Sequence, residues 1–158
     1  MAGAYPPPKM ARLIASFFGS GLLLRRLRGN DEGSGTIAGL VALGLAVLIH
    51  PWWGRALGLV ICVVAGLWAL RSLVEDKEDP GWVVIDEAAA TFLATIGLGV
   101  PGLLVGFVVF RAADIAKKVF PGVAQAESIG GPVGIMADDL VAGLYGLAAG
   151  WIVEALLR

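Results

Sequence analysis

Long apolar runs separated by short polar segments dominate the chain from residue 35 onward. Residues 35–50 and 55–73 form two such runs on either side of a Pro-Trp-Trp-Gly turn, and residues 134–157 form a third. A helix needs about 20 apolar residues to cross a bilayer. The runs carry no strand signal, and helices satisfy their own main-chain groups in lipid. The pattern therefore predicts an all-α polytopic membrane bundle of about four to five apolar helices.

A further apolar stretch, residues 82–113, is interrupted near its middle by Leu-Gly-Val-Pro-Gly at 98–102. Proline removes a helix hydrogen bond and clashes with the preceding turn, so we expect a break there. The stretch is then one long kinked span, a hairpin of two short spans, or a re-entrant helix pair.

The distribution of positive charge favours the hairpin, because cytoplasmic loops carry an excess of lysine and arginine. With a hairpin, ten of the twelve lysine and arginine residues lie on the cytoplasmic side, leaving Arg55 and Arg158 outside. With a single span, eight of the lysine and arginine residues would lie on the cytoplasmic side and four outside. The hairpin also brings the charged residues at 86–87, 111–117 and 138–139 to one cytoplasmic level.

The polar segments between these runs are short, so the chain reads as a single domain, 1–158. We expect a flexible tail at 1–9, where three prolines follow one another, and a short interfacial helix at 10–18. Residues 19–34 are polar, basic and rich in glycine, which predicts a loop, and residues 111–131 are polar with Pro121 and several glycines.

Composition excludes several classes of protein. Hydrophobic residues make up 58% of the chain and charged residues 16%, with a mean hydropathy of +0.82. A disordered or nucleic-acid-binding chain would need high net charge and few apolar residues. The single cysteine, Cys62, excludes a disulfide within the chain. We therefore expect the bilayer as a partner and no nucleic acid.

Three charged groups stand at the ends of apolar runs, where ionisable residues are costly and usually functional. They are the Asp86-Glu87 pair, the Arg111–Lys117 segment with Asp114 within it, and the Asp138-Asp139 pair. Carboxylate oxygens at a wet site suit Mg²⁺, and a divalent cation beside arginine and lysine makes a phosphate site. Each group also has a structural interpretation: a charge pair at a helix N-terminus, an intrahelical salt bridge, or a solvated helix start.

Absences narrow the chemistry further. His50 is the only histidine and lies at the tryptophan-rich end, opposite the acidic groups, so serine–histidine–aspartate hydrolysis is disfavoured. The chain has no G-x-x-x-x-G-K-[ST] nucleotide loop. Two classes remain: metal-assisted phosphate chemistry with carboxylates, or ion transport through buried carboxylates.

Several motifs together resemble the phosphatidylglycerophosphatase A family of membrane-embedded lipid phosphatases. Gly19-Ser-Gly21 and the segment 33–39 are similar to its glycine-rich start and its P-G-T-x-G-S motif, and Asp86-Glu87 matches its D-E pair. The segment 110–117 matches F-R-x-x-D-x-x-K, and 130–143 matches G-G-x-G-I-M-x-D-D-x-x-A-G apart from one extra residue.

The match has departures. Gly35 and Thr36 agree with the P-G-T-x-G-S motif, whereas Ser34, Ala38 and Gly39 do not, so no role for a serine at the last position is carried over. The family usually has proline directly after the lysine, where this chain has a second lysine.

The resemblance implies a phosphoric monoester hydrolase that removes the terminal phosphate of phosphatidylglycerophosphate with Mg²⁺ as cofactor. It implies a multi-pass protein of the bacterial inner (cytoplasmic) membrane with its site facing the cytoplasm. The alternatives are another lipid-phosphate phosphatase or phosphotransferase, or a small ion transporter. The sequence is compatible with a monomer or a homo-oligomer.

From these motifs and their chemistry we assign expected roles. We expect metal ligation by Asp86, Glu87, Asp138 and Asp139; phosphate binding by Thr36, Arg111 and Lys117; and catalysis by Asp114, Asp138 and Asp139. Either an aspartate that becomes phosphorylated or a water molecule activated at the metal could attack the phosphorus.

Overall fold

A computed structural model describes residues 9–73 and 80–158, which form helices and no strand, as the predicted all-α class requires. The helices are α1 (Lys9–Ala15), α2 (Leu23–Arg28), α3 (Ser34–Leu48), α4 (Trp52–Leu70), α5 (Ile85–Ala94), α6 (Val100–Ile115), α7 (Val123–Glu127) and α8 (Gly131–Leu156), with one 3₁₀ turn at Ser20–Leu22.

Helix α8 forms the centre of the bundle and packs against α5, α6 and α7. Its contact with α6 is made by glycines spaced four residues apart. A Cβ on Gly146 would overlap the carbonyl oxygen of Gly106, and one on Gly150 would meet that of Gly102. Small residues at this spacing let two helix backbones approach closely, as they do in membrane bundles.

The stretch predicted to be broken forms two helices, α5 and α6, joined at residues 95–99. Gly97 in this turn has φ of +73°, and Pro101 lies in the first turn of α6, where its missing N–H costs nothing. Glu87 at the start of α5 interacts electrostatically with Arg111 and Asp114 near the end of α6. The two helices are therefore antiparallel and bring their charged residues to one end of the bundle.

Only two of the described helices, α4 and α8, are long and apolar enough to cross a bilayer, fewer than the four to five predicted. The 15 residues of α3 and the 16 of α6 correspond to about 22 and 24 Å, against a hydrocarbon core of about 30 Å. The difference arises because α3 ends at Leu48 and because the two halves of the broken stretch, α5 and α6, are each shorter than a span.

The N-terminal region also differs from expectation. The predicted tail at 1–9 lies outside the described residues except for Lys9, which begins α1, and residues 74–79 lie outside them too. Residues 19–34 were expected to form a loop but contain a 3₁₀ turn and α2. Helix α2 consists of leucine and arginine, which favour helices, buries Leu24 and ends at Gly29, which has a left-handed conformation.

Candidate active site

Three carboxylates meet where the start of α5 faces the third turn of α8. One carboxylate oxygen each from Asp86, Glu87 and Asp139 lie within 4.8 Å of one another. The Asp86 and Asp139 side chains are buried, with 5% and 4% of their surface exposed. Such close carboxylates repel one another, so a cation between them would lower the electrostatic cost.

The residues of this acidic cluster, Asp86, Glu87 and Asp139, fit a hard divalent cation. Glu87 Oε2 and Asp139 Oδ2 are buried and have no hydrogen-bond partner among the described residues. Glu87 lies in a ten-residue helix, too short to cross a bilayer, and burial together with the Asp139 carboxylate raises its pKa to about 8. All the ligands are carboxylate oxygens, the donors that Mg²⁺ prefers.

Gly35, in the first turn of α3, allows Glu87 to reach its position. A Cβ at residue 35 would occupy the space of Glu87 Oε1, so only glycine permits this approach without moving the carboxylate. The contact also places the Glu87 carboxylate at the N-terminus of α3, where main-chain N–H groups favour negative charge.

Arg111 connects the acidic cluster to α3. Its Nη1 lies 2.7 Å from Asp114 Oδ2, and its Nη2 donates a hydrogen bond of 3.2 Å to Thr36 Oγ1. The Asp114 carboxylate in turn interacts electrostatically with Asp139. Arg111 and Asp114 thus form the ion pair within α6 that the structural interpretation predicts. The Arg111 guanidinium also contacts a second helix, α3, beside the acidic cluster.

Lys117 forms a neighbouring charged group with Asp138. Its Nζ lies 2.5 Å from Asp138 Oδ2 and 2.9 Å from Glu127 Oε1. Burial opposes the charged ammonium, but the hydrogen bonds to these two carboxylates outweigh that cost and raise the pKa of Lys117. Asp138 Oδ1 also accepts a hydrogen bond of 2.9 Å from the main-chain N–H of Asp139.

The structure thus divides the four expected metal ligands. Asp86, Glu87 and Asp139 lie together, whereas Asp138 faces Lys117. Glu127, in the polar segment 111–131, was not among the predicted site residues. No local signal marked it, because its contact with Lys117 depends on how α7 packs against α8.

A family model and one curated relative indicate the same family. A family model described as phosphatidylglycerophosphatase A matches residues 13–154. A Bacteroides thetaiotaomicron protein provisionally named a phosphatidylinositol-3-phosphatase is 30% identical, with 93% of this chain and 98% of that protein covered. The phosphatidylglycerophosphatase A of Escherichia coli K12 is 29% identical, with coverage of 84% and 76%. No solved structure matches the chain.

Proposed function

We propose that this chain, which belongs to the phosphatidylglycerophosphatase A family, hydrolyses the terminal phosphate of phosphatidylglycerophosphate and releases phosphatidylglycerol and inorganic phosphate. Family membership supports a lipid phosphatase. The observation that carries the proposal is the juxtaposition of the acidic cluster with the Arg111 guanidinium, which provides a cation site and an anion site side by side.

Arg111 and Thr36 are the proposed phosphate-binding residues. The planar guanidinium can bind two phosphate oxygens at once, and Asp114 holds it in place at 2.7 Å. Thr36 and the first main-chain N–H groups of α3 can donate to the remaining oxygens, as helix N-termini do. Lys117 adds a point charge, held by Asp138 and Glu127.

Asp86, Glu87 and Asp139 would hold Mg²⁺, and Asp138 would join them only if it left Lys117. When bound, Mg²⁺ would neutralise negative charge on the phosphate and help to generate the nucleophile. The buried oxygens of Glu87 and Asp139 that have no hydrogen-bond partner support this assignment.

The proposed catalytic aspartates are Asp114, Asp138 and Asp139. Asp114 pairs with Arg111 and interacts electrostatically with Asp139, and we assign it the role of passing a proton to the departing alkoxide. Asp138 keeps the Lys117 ammonium in position. The attacking group is one of these aspartates or a water molecule.

We place the protein in the bacterial inner membrane, with several helices crossing or entering the bilayer and the acidic cluster at the cytoplasmic face. The apolar surface of α4 and α8 supports this placement, because in each of these helices only 28% of an 18-residue apolar window is buried. Large side chains such as Val64, Trp68 and Ile152 are more than half exposed. A monomeric soluble protein rarely exposes so much contiguous apolar surface.

Substrate choice is tested by the release of inorganic phosphate from mixed micelles. We expect the highest kcat/KM with phosphatidylglycerophosphate and little turnover of soluble glycerol 3-phosphate. The second candidate substrate is phosphatidylinositol 3-phosphate, because the Bacteroides relative named for that activity aligns with 93% of this chain. A higher kcat/KM for the inositol lipid would overturn the proposed substrate, and equal turnover of glycerol 3-phosphate would overturn lipid specificity.

A further inference from the structure

The end of the bundle opposite the acidic cluster contains a buried arginine. Arg55, near the start of α4, is 5% exposed, and its four hydrogen bonds all go to main-chain carbonyl oxygens. An arginine within an apolar helix is costly, so its position requires a compensating role.

The four carbonyl groups belong to the ends of two helices. Arg55 Nε donates to Ala46 at 2.9 Å and to Ile49 at 3.0 Å, in the last turn and at the C-cap of α3. Its Nη1 donates at 2.7 Å to both Thr95 and Leu98, at the C-cap of α5 and in the turn that follows. A positive charge at helix C-termini interacts favourably with the helix dipole. One side chain thus ties together the two helices whose opposite ends carry Thr36 and Glu87.

A carboxylate from α8 binds the other side of the same turn. Glu154 Oε1 accepts a hydrogen bond of 2.9 Å from the main-chain N–H of Gly99, directly before α6. A Cβ at Gly102 would overlap the Glu154 side chain, so this carboxylate packs closely on the first turn of α6. Negative charge at a helix N-terminus is again the favourable sign.

We propose that Arg55 and Glu154 form a clamp on the turn between α5 and α6, and that this clamp positions the acidic cluster and Arg111 at the other ends of the same helices. Glu87 is about 12 Å along α5 from the clamped end, and Asp139 is about 22 Å along α8 from Glu154, at 1.5 Å per residue. A small tilt of either helix at the clamp therefore displaces the ligands at the acidic cluster. Arg55 and Glu154 are positioning residues, since neither lies near the cluster.

Two variants remove hydrogen bonds of the clamp without changing any residue of the acidic cluster, and we call them the release variants. Arg55→Lys keeps the charge but loses the planar fork that serves carbonyls of two helices. Glu154→Ala removes the acceptor of the Gly99 N–H at a half-buried position. Glu154→Gln keeps an acceptor oxygen and is the rescue variant. Arg158→Lys, at the exposed C-terminus of the chain, is the matched control.

The first readout is the dissociation constant of Mn²⁺ for purified protein, measured by electron paramagnetic resonance without substrate. This readout rests on the proposed function in one respect, that the acidic cluster binds a divalent cation. We expect the Mn²⁺ dissociation constant to rise about tenfold in Arg55→Lys. A rise of this size is typical when a group that orients a metal ligand is removed. We expect a smaller rise in Glu154→Ala and values near wild type in Glu154→Gln and Arg158→Lys. A role in stability alone would lower the folded fraction and leave this constant unchanged.

The second readout needs no metal. Spin labels on cysteines at Glu32 and Lys118, both exposed, report the distance between the start of α3 and the end of α6 in a Cys62→Ala background. We expect the distance distribution to shift or broaden in both release variants and to match wild type in the rescue and control variants. An unchanged distribution in both release variants would overturn the clamp. If wild type binds no Mn²⁺, the metal site of the proposed function fails, and the label distances alone decide the clamp.

Discussion

At the scale of single residues, Arg111 has two roles to distinguish, because it contacts both Asp114 and Thr36. Arg111→Lys keeps the charge but cannot bind two phosphate oxygens in one plane. Loss of one group that stabilises transition-state charge typically costs roughly 10²–10³ in rate. We expect kcat for phosphate release to fall by about that factor, with unchanged helix content by circular dichroism. Turnover near wild type would reduce Arg111 to a structural partner of Asp114.

Gly35 offers a second residue-scale test, because α3 contains a matched control. In Gly35→Ala the new methyl group takes the space of Glu87 Oε1, and the flexible carboxylate must move away. At Gly44, in the same helix, a methyl group meets no atom within 4 Å among the described residues. We expect Gly35→Ala to weaken Mg²⁺ binding about tenfold by isothermal titration calorimetry and Gly44→Ala to leave it unchanged. The magnitude is that of a displaced supporting contact at a metal site. Equal affinities in the two variants would remove Glu87 from the metal site.

The candidate residues at the acidic cluster could be predicted because charged side chains stand out in an apolar sequence. The residues that they contact could not be predicted from the sequence. The contact of Arg111 with Thr36 joins residues 75 positions apart, and that of Arg55 with Leu98 joins residues 43 apart. Such contacts depend on helix packing, for which single residues carry no local signal.

At the scale of helices, the contact of α6 with α8 depends on their glycines. A methyl group on Gly146 would overlap main-chain atoms of α6, which cannot rotate away as a side chain can. Overpacking of this kind costs about 1–3 kcal/mol. We expect Gly146→Ala to lower the melting temperature in detergent, followed by circular dichroism, relative to Gly44→Ala. Equal melting temperatures would show that α6 and α8 do not approach this closely.

The break between α5 and α6 was predicted correctly, because proline and glycine act on their own turn of helix. Only two of the described helices pass the length criterion for a membrane span, fewer than the four to five apolar helices predicted, since an apolar run does not show where a helix within it ends. The helix α2 was missed because its six residues contain three arginines and lie in a polar, glycine-rich segment; one of its leucines, Leu24, is buried.

At the scale of the whole molecule, the proposed hairpin topology would place the C-terminal end of α4 and helix α7 on one side of the membrane. Single cysteines at Arg71, directly after α4, and at Gln125 in α7 are exposed in the structure. We expect an impermeant thiol reagent to label both in inverted vesicles and neither in intact spheroplasts. A cysteine at Trp52, at the opposite end of α4, should show the reverse. Labelling of Arg71 and Gln125 positions from different sides would contradict the hairpin.

The central claim is that the acidic cluster holds the Mg²⁺ with which this chain hydrolyses a lipid phosphomonoester. The most direct measurement is the rate of phosphate release from phosphatidylglycerophosphate against Mg²⁺ concentration, for wild type and Asp139→Asn, which keeps the side-chain volume. We predict activity in wild type that is abolished by chelator and restored by Mg²⁺. In Asp139→Asn we predict a loss of at least about 10²-fold, since removing a ligand should cost at least as much as removing its supporting partner. Wild-type activity and an unchanged Mg²⁺ dependence in Asp139→Asn would contradict the claim.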